Sequence, residues 1–546
     1  MDLRSKELPE LTYATQMKLR ECGKPDASKI VQDLQKSPTR AKKYKEALKK
    51  SSEEPLRQLS VVETLSMIAE AGLTREQYEV VRATNKAFFP CYTLVQRAKK
   101  ESFPPEEAYT VTETCAEIEL QYLMDNTTTR LLMHLGDRIN DLSVDEKKTM
   151  TLITKWGCDG SQQTQFKMKF ANDTDSDANI FQSSMVPLQL VCGKNKIIWQ
   201  NPTPSSPRLC RPIRMRFIHE TTDVTNEEIA YLKSKINNLT PTKYNETLIK
   251  HQMLFTMVDG KVCNAATHTK SSMRCYLCNA TSKEFNNLSK ERPVKTENLS
   301  FGLSLLHARI RFFENLLHIA YKLPVRKWNK KLTPEEENIV GLTKKNIQDR
   351  FKEEMGLLVD MPKASFGNTN DGNTSRRFFE EYKRSALITG LDEKLIYRLK
   401  VILDTLCSGL QIDYEKFKIY SKETEELYVS LYDFYPQSTT MHKVLRHGAA
   451  VIENAILPIG QLSEEAAEAR NKHIREYRLH HSRKFSREAC NLDVMNRLLL
   501  TSDPLLFGMR KIKRRKQKTY NEDVLNLLMP HDAHNASLDL SNDENM

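Results

Sequence analysis

Two pairs of residues, far apart in the chain, constrain its folding more than any other feature. Cys275 and Cys278 stand two residues apart in Arg274-Cys275-Tyr276-Leu277-Cys278, and His442 and His447 follow more than a hundred residues later at a spacing of five. Two thiolates and two imidazoles are the donor chemistry of a structural zinc site. If the four share one ion, the chain folds back over the whole intervening stretch, and the metal staples two distant segments together. The competing reading is a pair of reduced thiols and two core histidines, because the separation far exceeds that of a zinc finger. Just beyond the histidines, Glu468 heads a run containing Arg470, Asn471, Lys472, His473, Arg475 and Arg478. One carboxylate at the head of a basic helix suits a group that holds a metal ion beside a polyanion; a solvated glutamate is the plainer alternative.

Composition narrows the setting. The chain has 546 residues, 39% of them apolar and 28% charged, which predicts a largely globular protein of several domains. A net charge of +12 favours an anionic partner, either a phosphate polymer or an acidic membrane. No run approaches the roughly 18 apolar residues of a membrane span, so no membrane partner is expected. The first ten residues lack the apolar centre of a signal peptide, which predicts an intracellular protein. Eleven cysteines, an odd number without dense spacing, favour reduced thiols over a disulfide framework.

Taken in order, residues 1–52 are polar with basic clusters at 40–43 and 45–50, a segment expected to include mobile stretches. It could lie along a phosphate backbone or be a solvated tail. Apolar residues then recur at helical spacing (Val61, Leu65, Ile68, Ala69), and Thr74 with Gln77 fits a capping box. A third segment at 90–100 ends in Arg97, Lys99 and Lys100, giving a small helical module suited to binding DNA, to pairing with a second copy, or to both. More helix is expected over 115–142.

At Met150 the pattern changes to strands. Residues 150–156 read as a strand running into Gly157-Cys158-Asp159-Gly160, with further strands at 164–170, 184–192, 196–200 and 213–219. Thr225 and Glu228 have capping-box spacing for a helix. A strand at 251–258 runs into Asp259-Gly260. The expectation is an α/β core in which two strands each end in an aspartate. The long stretch that follows is mostly helical, at 301–322, 333–358, 376–389, 392–407 and 414–435. It is interrupted by a polar loop at 366–374 before Arg376 and Arg377, which could present amides to phosphate or serve as a flexible connector. Residues 510–518 form a basic cluster readable as a nuclear address or a phosphate contact, and 531–546 are acidic and expected to be mobile. There is no internal repeat.

Phosphodiester chemistry with two divalent ions needs carboxylates that clamp the pair, one ion activating the attacking oxygen and the other steadying the leaving oxygen. Asp159 and Asp259 from strand ends and Glu468 from a helix are the candidates. Singly each is weak, since an Asp-Gly pair is more often a turn.

Together these residues resemble one family, the Transib DNA transposases, relatives of the catalytic core of the V(D)J recombinase. The resemblance runs from about Leu59 to about Gln517 and is carried by the blocks TKWGCDGSQQTQFKMKF, WQNPTPSSPRLCRPIRMRFIHETTD, FTMVDGKV, MRCYLCNATSKEF, NDGNTSRRFF, MHKVLRHG and EEAAEARNKH. It implies an RNase H-like α/β core with a large helical, zinc-stapled insertion and an N-terminal helical DNA-binding and dimerisation module. The implied divisions are a basic segment at 1–52, a dimerisation and DNA-binding module at 53–105, a helical pre-core at 106–148 and the core with its first two acidic residues at 149–262. A zinc-binding helical insertion at 263–455, the catalytic glutamate helix at 456–500 and a basic then acidic tail at 501–546 complete the chain.

The resemblance implies further that Asp159, Asp259 and Glu468 are a catalytic triad holding two Mg²⁺ or Mn²⁺ ions. Cys275, Cys278, His442 and His447 would hold one structural Zn²⁺. Arg470, Lys472, Arg475, Arg376 and Arg377 are candidate DNA contacts. His307 occupies the position of a histidine near the recombinase active site, with a packing role as the alternative. The implied activity is cut-and-paste transposition by a nuclear homodimer acting on double-stranded DNA, at terminal inverted repeats and target, with no accessory subunit required. Two other readings stand beside it: a captured, non-catalytic DNA-binding protein, and a different RNase H-like nuclease acting on RNA.

Overall fold

The computed structural model describes residues 6–36, 38–52, 58–163, 169–193, 196–328, 331–363, 367–510 and 519–530. The chain divides into two compact units, Met1–Gln96 and Arg97–Met546, the division falling inside the helix Tyr92–Glu101.

In the first unit, the segment expected to include mobile stretches carries three helices, Leu8–Glu21, Pro25–Lys36 and Pro38–Ser52. Each begins at or beside a proline, a residue pre-set for the first helical turn. The next two helices, Val61–Ala71 and Arg75–Thr84, open on reciprocal capping boxes, Ser60 with Glu63 and the expected Thr74 with Gln77. Tyr78 is buried among them and donates its hydroxyl to the Pro90 carbonyl at 2.6 Å.

The second unit is built on a mixed sheet. Among the described residues its strands are β1 (Tyr109–Val111), β2 (Cys115–Ile118), β3 (Met150–Gln162), β4 (Asn179–Cys192), β5 (Lys196–Gln200), β6 (Arg211–Arg216), β7 (Thr242–Tyr244) and β8 (Thr247–Phe255). The order across the sheet is β1-β2-β6-β4-β3-β8-β7, with β5 paired to β4 off this path. β3 pairs antiparallel with β4 on one side and parallel with β8 on the other. Both β3 and β4 are buried along most of their length, as expected of central strands covered on two faces.

Several sequence expectations need correction. Gly157-Cys158-Asp159-Gly160 is not a turn: β3 continues through it to Gln162 because β4 pairs with it all the way, Asp159 facing Gln182. The stretch expected to be helical from Cys115 begins with β2, and the helix Leu120–Leu135 starts only after it. The helix expected from Thr225 is Thr222–Asn237, because Thr221 caps it by accepting from the Val224 amide at 3.2 Å. Of the strand expected at 164–170, residues 164–168 lie outside the described residues, and 169–170 are not in a strand.

The insertion is helical as expected, with Leu305–Lys322, Pro334–Met355, Gly372–Glu380, Tyr382–Thr389, Glu393–Leu406 and Tyr414–Tyr432. One hydrophobic core runs from the sheet into it, joining Trp156, Phe181 and Leu190 to Phe312, Leu316 and Leu399. At the seam between β3 and the end of β8 stands Gly157. A methyl group there would meet the Met257 carbonyl oxygen at 1.8 Å, whereas one on Gly160 would meet only the Glu220 side chain. G157A is therefore expected to cost about 1–3 kcal/mol in urea unfolding, as overpacking does, while G160A costs less because a side chain can move aside.

Candidate active site and metal centre

Three elements converge on the candidate carboxylates. Asp159 lies on β3. Asp259 follows the buried Met257 and Val258 at the end of β8 and caps the helix Gly260–Ala266, its Oδ1 accepting from the Val262 amide at 2.8 Å. Glu468 lies in the first turn of the helix Glu465–His480. That helix is tied to the sheet by side chains on its inner face. Asn471 donates Nδ2 to Asp159 Oδ2 at 2.7 Å, and Gln182, across the strand pair from Asp159, donates Nε2 to Asn471 Oδ1 at 2.6 Å and to the Ala467 carbonyl at 3.3 Å. Further along, Arg475 donates to the Gln162 carbonyl at 2.7 Å.

The electrostatics are those of like charges held together. Burial, then Glu468 and Asp259, push the Asp159 carboxyl well above the usual carboxylate range, against the donation from Asn471. Burial likewise raises Glu468; His307 opposes the rise, and Glu464 and Asp259 add to it. A cation between such groups would relieve their repulsion.

Glu464 escaped the sequence reading. It is buried at 3% exposure, one turn before Glu468, and its carboxylate reaches across to the start of the helix Leu305–Lys322. Oε1 accepts from Ser304 Oγ at 2.6 Å and the His307 amide at 3.2 Å, and Oε2 accepts from the Leu305 amide at 3.0 Å. These are amides that a helix start leaves unsatisfied. Glu464 Oε1 also lies 3.1 Å from His307 Nδ1, and His307 Nε2 lies 3.6 Å from Glu468 Oε1. Burial works against a charge on His307, but the bond to Glu464 and the nearby Asp259 and Glu468 outweigh it, pushing the imidazole up to about 9. On the opposite side, fully buried Lys155 of β3 donates to the carbonyls of Gln461 at 2.8 Å and Ser463 at 2.6 Å.

The zinc donors come together. Cys275, Cys278, His442 and His447 are all buried, and one ligand atom from each lies within 4.8 Å of the others. The cysteines sit on a tight turn in which the Asn279 amide donates to the Cys275 carbonyl at 2.7 Å, with Asn279 itself at φ 62°. Five residues along an α-helix leave two side chains about 140° out of line. Residues Lys443–His447 form a π-helical turn instead, whose wider coil brings positions five apart towards one side. The two imidazoles stand 5.1 Å apart, and Phe285 stacks on His442 at 4.4 Å. His442 Nε2 is 3.3 Å from Cys278 Sγ, while His447 Nε2 is buried with no hydrogen-bond partner. The hydrogen bond from Cys275 holds the Cys278 thiol well below its usual range. Thiolate, imidazoles and an orphaned ring nitrogen fit a tetrahedral zinc ion, and this cluster could hold one.

The candidate DNA contacts separate into two groups. Arg470 is not at the surface: it is 3% exposed and donates to the Cys210 carbonyl at 2.9 Å, Thr501 Oγ1 at 3.1 Å and the Leu498 carbonyl at 3.4 Å. It holds the Glu468 helix to the helix Arg487–Thr501, which corrects its reading as a phosphate contact. Lys472, Arg475, Arg376 and Arg377 are exposed. Arg376 reaches Asn373 Oδ1 at 3.3 Å, and Arg377 reaches the Met355 carbonyl at 2.6 Å. The loop before them is organised rather than slack: Asn370 Oδ1 accepts from the Asp360 amide at 2.7 Å, and Asp371 caps the helix Gly372–Glu380. The basic residues 511–518 and the acidic 531–546 lie outside the described residues. R470A is expected to lose about 2 kcal/mol or more in urea unfolding, while K472A stays within about 0.5 kcal/mol, the usual span for a surface change.

No protein-family model and no curated protein matches the chain. Among solved structures, a Drosophila P element transposase strand transfer complex aligns at 9% identity and a TM-score of 0.27, covering 86% of this chain and 100% of that one. So low a score carries no argument about this chain.

Proposed function

We propose that the chain is a cut-and-paste DNA transposase of the Transib kind, cutting by a two-metal mechanism on an RNase H-like core. The observation that carries the reading is the bond between Asn471 and Asp159, which keeps the helix of Glu468 against the strand of Asp159, beside the strand that leads to Asp259. The run β6-β4-β3-β8, antiparallel except for the last pair, supports the RNase H-like assignment.

Asp159, Asp259 and Glu468 would hold two Mg²⁺ or Mn²⁺ ions, which when bound activate the attacking oxygen and steady the leaving one. Asn471 orients Asp159 by donating to one of its oxygens. His307, charged and beside Glu468, would set a positive group near the scissile phosphate. Exposed Lys472, Arg475, Arg376 and Arg377 would neutralise backbone phosphates. The cluster Cys275, Cys278, His442 and His447 would keep its zinc as a structural ion. In the proposed sequence, water nicks one strand at the element's end. The freed 3′-hydroxyl of the flanking DNA attacks the opposite strand and closes a hairpin, and the element's 3′ ends then join target DNA. The protein would act in the nucleus as a homodimer on terminal inverted repeats, without an accessory subunit.

The test is a cleavage assay with duplexes carrying the inverted repeats that flank the gene, in Mg²⁺ or Mn²⁺. A nick followed by a hairpin on the flanking product is expected. No nick in either metal would mean a captured transposase kept for DNA binding, and cleavage independent of the repeats would mean a nuclease of another kind.

A further inference from the structure

We propose that Glu464 and Lys155 are positioning residues for Glu468, gripping the segment before its helix from opposite sides. The inference rests on the reading of Glu468 as a metal ligand and adds what fixes it in space. From the sheet side, Lys155 stands on β3 four residues before Asp159 and donates to the carbonyls of Gln461 and Ser463. Among the described residues its ammonium bonds to two main-chain oxygens and to no carboxylate. The segment therefore cannot slide along β3 without leaving a buried charge unsolvated, which is costly. From the insertion side, Glu464 takes two main-chain amides and the Ser304 hydroxyl at the start of the helix Leu305–Lys322. Ser304, the residue at the capping position, makes no capping bond of its own. The distant carboxylate supplies the cap, so two helix starts, one from each side of a long insertion, are joined at one buried group. His307, on the first turn of that helix, is thereby set against both Glu464 and Glu468. The grip holds Glu468 in register with Asp159 on the same strand as Lys155.

Charge alone and position make opposite predictions for Lys155 and differ over whether glutamine rescues Glu464, which gives a clean test. Removing Glu464 takes a negative charge away from the bound ions, and removing Lys155 takes a positive one away. If only electrostatics matters, E464Q weakens binding of Mn²⁺ and K155M tightens it. If the residues position Glu468, both E464A and K155M weaken it, and E464Q, whose one carbonyl oxygen can still accept from Ser304 and His307 but not also from Leu305, recovers part of the loss.

The measurement is calorimetric titration of Mn²⁺ into the full-length, zinc-loaded chain, with melting temperature before any Mn²⁺ is added as the control for folding. Weakening by about tenfold in E464A and in K155M, the range for residues that orient metal ligands, is expected. Tighter binding by K155M, or E464Q as weak as E464A, would overturn the proposal, as would folded E464A and K155M binding Mn²⁺ like the unaltered chain. If K155M does not fold, the comparison of E464A with E464Q decides. D159A identifies the site: if it binds Mn²⁺ as the unaltered chain does, the metal-ligand reading fails and this proposal with it. Weak binding by D159A with normal binding by E464A and K155M removes this proposal alone.

Discussion

Alanine at Asp159, Asp259 or Glu468 is expected to abolish both nicking and hairpin formation, by about a thousandfold or more, equivalent to roughly 4 kcal/mol of transition-state stabilisation. Binding to the terminal repeats should persist in all three, because phosphate contacts come from the basic surface rather than from the acidic pocket. An additional effect follows from the crowding of the carboxylates. Burial and its acidic neighbours raise Asp159 well above the normal range, so D259A and E468A each relieve a repulsion in the metal-free protein. With zinc in place and no Mg²⁺ or Mn²⁺ added, E468A should melt at or above the unaltered chain, while D259A gains less because it also loses the cap bond to the Val262 amide. Cleavage assays with gel-shift and melting controls test all of this together. Full cleavage by any one variant would remove it from the catalytic set.

Loss of the zinc cluster should be the most damaging change to the fold. C278A or H447A removes one of four buried donors drawn together within 4.8 Å, and the remaining three cannot complete a tetrahedral site. Structural zinc contributes on the order of 10 kcal/mol in small domains, comparable to the whole stability of a typical domain. A fall of at least about 10 °C in melting temperature is expected, with loss of bound zinc by elemental analysis. The same should follow chelation of the unaltered protein. The effect should reach the candidate active site, since the helical turns carrying both histidines lead directly to the segment before Glu468.

The sequence made some of this legible and hid the rest for physical reasons. The meeting of the cysteine and histidine pairs was legible because two thiols and two imidazoles at such spacings are a donor set that one ion could draw together. The capping box at Thr74 could be read because both partners are local. The setting of Asp159 differs from the expectation, since an Asp-Gly pair favours a turn unless a long partner strand overrides it, as β4 does. Arg470 was misassigned although the signal was available: it lies four residues before Ile474 and seven before Tyr477, both buried, which sets it on the inner face of its helix. Glu464 had no such signal. A carboxylate that caps a helix start some 160 positions upstream leaves no trace in local spacing, and only the assembled chain reveals it. The α/β core was legible in the strands that alternate with a helix, and the structure sets β3 between β4 and β8 within it.

The π-helical turn at Lys443–His447 has a consequence for how this chain can change over time. A wider coil is what an ordinary helix becomes when one extra residue is squeezed into it. Losing a single amino acid between the histidines would restore regular winding and leave the pair four apart, only about 40° out of line and still on one face of the helix. A codon-length deletion at this one spot should thus spare metal retention, whereas the same deletion in a regularly wound stretch would rotate everything beyond it by about 100°.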